Sequence, residues 1–108
     1  MASFEDRERG FEGKFKHDQE LGFKISARRN KLLGLWAAKE LKLPAGEHEA
    51  YAKSVVMADL EKPGDDDVIQ KLLADFKAKG VEMSEHRLRH QLSELREVAR
   101  KQVMSETK

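Results

Sequence analysis

A chain of 108 residues suffices for one modest hydrophobic core and is too short for two. Charged residues make up 38% of it and aromatics 6%, which suits helices with a wetted surface and a Leu/Ala/Val core better than sheets. The absence of cysteine excludes disulfides and thiolate metal sites. With no long apolar run, an acidic N-terminus and a net charge of +1, neither a membrane span nor a basic targeting peptide is expected, nucleic-acid binding through Arg28, Arg29 and Lys31 is the least favoured reading, and the chain reads as cytoplasmic.

The first stretch, FEDRERGFEGKFKHDQE from Phe4 to Glu20, threads three phenylalanines through charged residues and two glycines. At 100° per residue Phe4, Phe11 and Phe15 fall within about 40° of one another, a latent apolar stripe. Pairs such as Glu5–Arg9 and Glu12–Lys16 support a helix by a few tenths of a kcal/mol each, whereas Gly10 and Gly13 each disfavour one by about 1 kcal/mol relative to alanine. Two readings stay open on these residues alone: the rings cap the open end of a bundle, or residues 1–17 are mobile and order on another protein.

From about Asp18 to Leu43 there is no proline, and two apolar stripes recur at helical spacing. Leu21, Ile25, Leu32, Leu35 and Trp36 make one. Phe23, Ala27, Gly34, Ala37, Ala38 and Leu41 make a second, mostly small, nearly opposite. This predicts a helix gripped on two sides, its small side allowing close approach, with Arg28 snorkelling or paired at the core's edge. Pro44-Ala-Gly46 is the predicted stop. A second helix is expected from about Glu47 to Leu60, with Tyr51, Val55 and Ala58 inward, ending at Lys62-Pro-Gly64.

Asp65 is the predicted N-cap of a third helix, with Asp66 and Asp67 complementing its dipole; helix-start chemistry explains the three aspartates without a metal. Val68, Ile69, Leu72, Leu73 and Phe76 form its stripe, and Gly80 its C-cap. Ser84 opens a fourth helix with Leu88, Leu92, Leu95 and Ala99 on one face, fraying near Met104. The expected fold is therefore all-α: a small antiparallel four-helix bundle with a long first helix and a mobile N-terminal segment. Its units are 1–17, the bundle 18–104, and a frayed end 105–108.

Residues 21–43 carry six cations and one anion, residues 44–80 five and eight. A basic stretch followed by an acidic one predicts elements packed with complementary faces. Catalysis needs a nucleophile with a base, spaced carboxylates or a metal set. None is recognisable here. His86 and His90 have ligand spacing, but no third ligand can be named and Arg87 and Arg89 crowd them; an exposed pair is the better reading. No Gly-rich loop follows a strand, so phosphate-cradling motifs are absent. No enzyme activity and no cofactor or metal is expected.

The stretch FEDRERGFEGKFKHDQELGFKISARRNKLLGLWAAKEL, Phe4 to Leu41, closely resembles the N-terminal half of the zeta subunit of alphaproteobacterial F-type ATP synthases. The anchors are Phe4, Asp6-Arg-Glu-Arg9, Glu12, Lys14-Phe15, His17-Asp18, Glu20, Phe23-Lys24 and the block Ala27-Arg-Arg-Asn-Lys-Leu-Leu-Gly-Leu-Trp-Ala-Ala38. Tyr51-Ala-Lys53, Val55-Val56 and Ala58-Asp59 are also similar. From about residue 65 the likeness is one of helix pattern.

The resemblance implies a four-helix inhibitor of ATP hydrolysis, a monomer when free. Its N-terminal segment becomes a helical wedge between an alpha and a beta subunit and reaches towards gamma, on the inner face of the inner membrane. On that basis Phe4, Phe11 and Phe15 would bury against the catalytic subunits, with Arg7, Arg9 and Lys14 pairing with acidic groups there. Leu32, Leu35 and Trp36 would be core. Arg29 and Lys31 would be freer, as secondary contacts. The family's usual residue at Gly10 and Gly13 is alanine, so the two glycines raise the ordering cost by about 2 kcal/mol, roughly thirtyfold in affinity; the additional ring of Phe11 offsets this. The alternative from another class is a helical adaptor that binds a different protein through the same segment.

Overall fold

The structure is a computed structural model and describes residues 19–62 and 64–106. The expected mobile segment 1–17 lies outside the described residues. Four helices follow in order: α1 (Phe4–Glu40), α2 (His48–Glu61), α3 (Asp65–Ala78) and α4 (Glu85–Glu106), with one 3-10 turn, Ala45–Glu47, before α2. Among the described residues there is no strand. The all-α four-helix fold is the one the periodicity predicts.

α1 is the spine, packed chiefly against α2 and α4. Its small stripe lies deepest from Gly34 to Leu41, while Phe23 and Ala27, expected on the same gripped face, are exposed. Ala37 and Ala38 are fully buried and Leu41 nearly so, and Gly34 lets the backbones of α1 and α2 meet: a Cβ there would lie 2.5 Å from the Ala52 Cα. The other stripe is shallower than expected. Leu32, Leu35 and Trp36 are half-buried, not interior. Leu33, which belongs to neither predicted stripe, is fully buried in one cluster with Val55, Ile69, Leu72, Phe76 and Leu88. The reason is geometric: α2 and α4 flank α1, and Leu33 lies towards the shared cluster to which α3 contributes Ile69, Leu72 and Phe76.

The turns close with identifiable backbone chemistry. α1 ends before Pro44: Lys42 adopts φ 59°, its N–H bonds the Lys39 carbonyl at 3.0 Å and the Leu43 N–H bonds that of Ala38 at 3.0 Å. This is the Schellman arrangement, here with lysine where glycine is usual. Gly80, at φ 71°, ends α3 in the same way, with Val81 N–H to Phe76 O at 2.9 Å. At the start of α3 the cap position is Gly64, φ 142°, with no side-chain cap. Asp65 is thus the first helical residue and not the predicted N-cap, because its carboxylate is drawn to Arg29, 3.1 Å away. Ser84 caps α4 as predicted, its Oγ accepting from the Arg87 N–H at 3.0 Å. α4 runs to Glu106, whose carboxylate Arg28 holds.

Candidate functional site

The described part of α1, from residue 19 onward, is the stem on which the N-terminal stretch is mounted, and its anchoring is built residue by residue. Arg28 donates to Gln102 Oε1 at 2.9 Å and to Glu106 Oε2 at 2.7 Å, tying α1 to the last turn of α4. The hydrogen bond to Arg28 holds the Glu106 carboxyl below its ordinary range, and the same bond raises the Arg28 guanidinium. This is the paired arginine at the core's edge that the sequence predicts.

One turn of polar residues then ties α1 to α2 and α3. Arg29, only 3% exposed, donates to Asn30 Oδ1 through Nε and Nη2 and pairs with Asp65. Asn30, 1% exposed, donates to Asp59 Oδ2 at 2.8 Å. The other oxygen of Asp59 accepts from the Gly64 N–H at 3.3 Å. Every buried polar side-chain atom among the described residues has a partner. Such a network rigidifies only when satisfied throughout, since a stranded buried charge or amide is costly. The expectation that Arg29 is freer than the core residues of its block is corrected: it is buried and paired with Asp65 at the start of α3. Lys31, its neighbour in that expectation, is exposed. Asn30, Asp59 and Asp65 were missed as members of this network; the one local hint was an amide at a position facing the small stripe.

Lower on the stem, Trp36 packs against Phe76 with ring centroids 6.4 Å apart, and the Arg87 guanidinium lies 5.7 Å from the indole ring. Tyr51 donates to Asp75 Oδ2 at 2.7 Å, and Lys71 Nζ lies 2.9 Å from the same oxygen. Burial, reinforced by the Asp75 carboxylate, pushes the Tyr51 phenol well above its ordinary value. The isolated His48 of the sequence donates through Nε2 to the Leu43 carbonyl at 2.8 Å, closing the α1–α2 turn. His86 and His90 are exposed, with His90 beside Glu94.

The residues assigned to the inhibitory segment, Phe4, Arg7, Arg9, Phe11, Lys14 and Phe15, lie outside the described residues. Among the described ones no cluster of three or more His, Asp or Glu is placed to hold a metal, and no helix is long and apolar enough to cross a membrane. The described geometry ties α1 to each of the other three helices through Arg28, Arg29 and Asn30.

Comparison with known proteins places the chain in a family. Among solved structures, a chain determined by solution NMR is 44% identical, with a TM-score of 0.68, over 78% of this chain and 95% of its own length. No curated protein sequence matches the chain. The family model described as ATPase inhibitor subunit zeta matches residues 1–102. A match that takes in both the phenylalanine-bearing segment and all four helices settles the classification: the chain belongs to the ATPase inhibitor subunit zeta family.

Proposed function

We propose that the chain inhibits ATP hydrolysis by the F-type ATP synthase through residues 1–17, which lodge as a helical wedge between an alpha and a beta subunit and oppose rotation of gamma. The observation that carries this reading is the family match, which extends through residue 1 and so includes the segment as well as the bundle. The family is named for an inhibitor, a regulatory and not a catalytic role. Phe4, Phe11 and Phe15 are the apolar anchors, and Arg7, Arg9 and Lys14 form the charged rim of such an interface. The stem supports the reading mechanically, because a wedge resists a rotating shaft only if its base is held. Arg28, Arg29, Asn30 and Gly34 hold it against three other helices. Lys31 is the stem's outward contact, while Arg29 acts from within. In the bound state the protein is peripheral to the membrane that carries the synthase.

The test is a titration of the cognate catalytic head with the full chain and with Phe4→Ser/Phe11→Ser/Phe15→Ser. The full chain should slow hydrolysis saturably, and the variant should raise the half-inhibitory concentration about a hundredfold or more, as loss of a desolvated aromatic cluster does. Equal inhibition by both would refute the assignment of the rings.

A further inference from the structure

The apolar line of α1 continues past its buried part. Phe23, on the same stripe as the exposed Ala27, stands 72% exposed, and Leu60, near the end of α2, is 63% exposed. With the half-buried Val56 they line a cleft of about 370 Å³. Val56 also borders two shallower hollows, one edged by Lys24 and Lys31, the other by Lys31 and Lys53.

The carboxylates nearby are mostly engaged. Asp59 holds Asn30, Asp65 holds Arg29, and Glu106 holds Arg28; Glu49 lines the Lys31–Lys53 hollow, one carboxylate beside two ammonium groups. Among the described residues neither Lys31 nor Lys53 has a salt-bridge partner. The basic charge of residues 21–43 is therefore largely unspent inside the molecule.

An apolar floor between two helices, with Arg96 on its own wall and Lys24, Lys31 and Lys53 on the adjoining hollows, fits one kind of occupant. We propose that the Phe23–Val56–Leu60 cleft is a second docking surface, for an acidic amphipathic helix of the inhibited enzyme. The inference rests on the inhibitor reading above. A helix fits because the groove between α1 and α2 offers ridges to interdigitate with and no strand edge to extend. An acidic one fits because Lys24, Lys31 and Lys53 would pair with it. A second copy of this chain fits poorly, since a two-fold contact would set like charges against each other.

The chain has no cysteine, so single sites can be labelled cleanly. The full chain carrying Leu60→Cys, or separately Ser3→Cys, is coupled to a benzophenone, mixed with the cognate catalytic head and photolysed, and the crosslinked peptides are identified. Crosslinks from both sites, with position 60 mapping to an acidic helical segment, support the proposal. A crosslink from position 3 without one from position 60 overturns it and leaves the inhibitory reading intact, whereas none from either overturns both. A position-60 crosslink to a second copy, or to a segment neither helical nor acidic, also overturns it. In parallel, Lys24→Glu/Lys31→Glu/Lys53→Glu should raise the half-inhibitory concentration about tenfold at low salt and flatten its salt dependence; a variant indistinguishable from the native chain contradicts the charge match.

Discussion

Single positions show how far local chemistry decides this fold. Gly34 is a poor helix former by about 1 kcal/mol relative to alanine, yet it sits mid-helix because a Cβ would press on the backbone of Ala52. Gly34→Ala should therefore lose about 2 kcal/mol in urea denaturation, overpacking outweighing the propensity gain; a stabilised variant would show that α2 moves aside freely. Tyr51 is the protein's one tyrosine, so its ionisation can be followed without interference. Its folded pKa lies above the ordinary value of 10.0. The stabilisation it gives is then fully present below pH 10 and lost as pH rises towards the raised value. Phenolate absorbance should stay silent around pH 10 and appear with unfolding. Half-titration at pH 10 in a folded chain would deny the Tyr51–Asp75 bond.

At the scale of elements, the middle of α1 and the end of α4 depend on each other. Arg28 keeps Glu106 ionised below its ordinary value of 4.5, so the tie is complete above that pH and fails as pH falls through the depressed value. Arg28→Ala should return the Glu106 titration to near 4.5 and speed amide exchange in the last turn of α4 at neutral pH; unchanged exchange would mean that the last turn holds without the tie. Much of this level was legible beforehand. Four helices, their order, the small face of α1, the Ser84 cap and the Gly80 terminus all follow from 3.6-residue spacing and cap chemistry. What was not legible has a common cause. Leu33 is core because residues of α2, α3 and α4 gather on it in one cluster, and Arg29 is paired across the chain by Asp65. A helical wheel gives relative angles within one helix and not the directions from which others arrive.

For the whole molecule, charge was the misleading signal. The basic stretch 21–43 and the acidic stretch 44–80 suggest mutual neutralisation, but among the described residues Arg29–Asp65 is the one ion pair joining them. The surplus stays on the surface, which is what a protein made to meet another surface requires. The candidate site is legible only as a pattern, three rings on one stripe, since those residues lie outside the described ones.

The most direct measurement compares the full chain with one lacking residues 1–17, in helicity, thermal unfolding and inhibition of the cognate catalytic head. The predicted result is a bundle that still unfolds cooperatively, anchored by Gly34, Arg28 and Arg29, and that no longer slows hydrolysis. Full inhibition by the shortened chain would contradict the claim that the segment carries the activity.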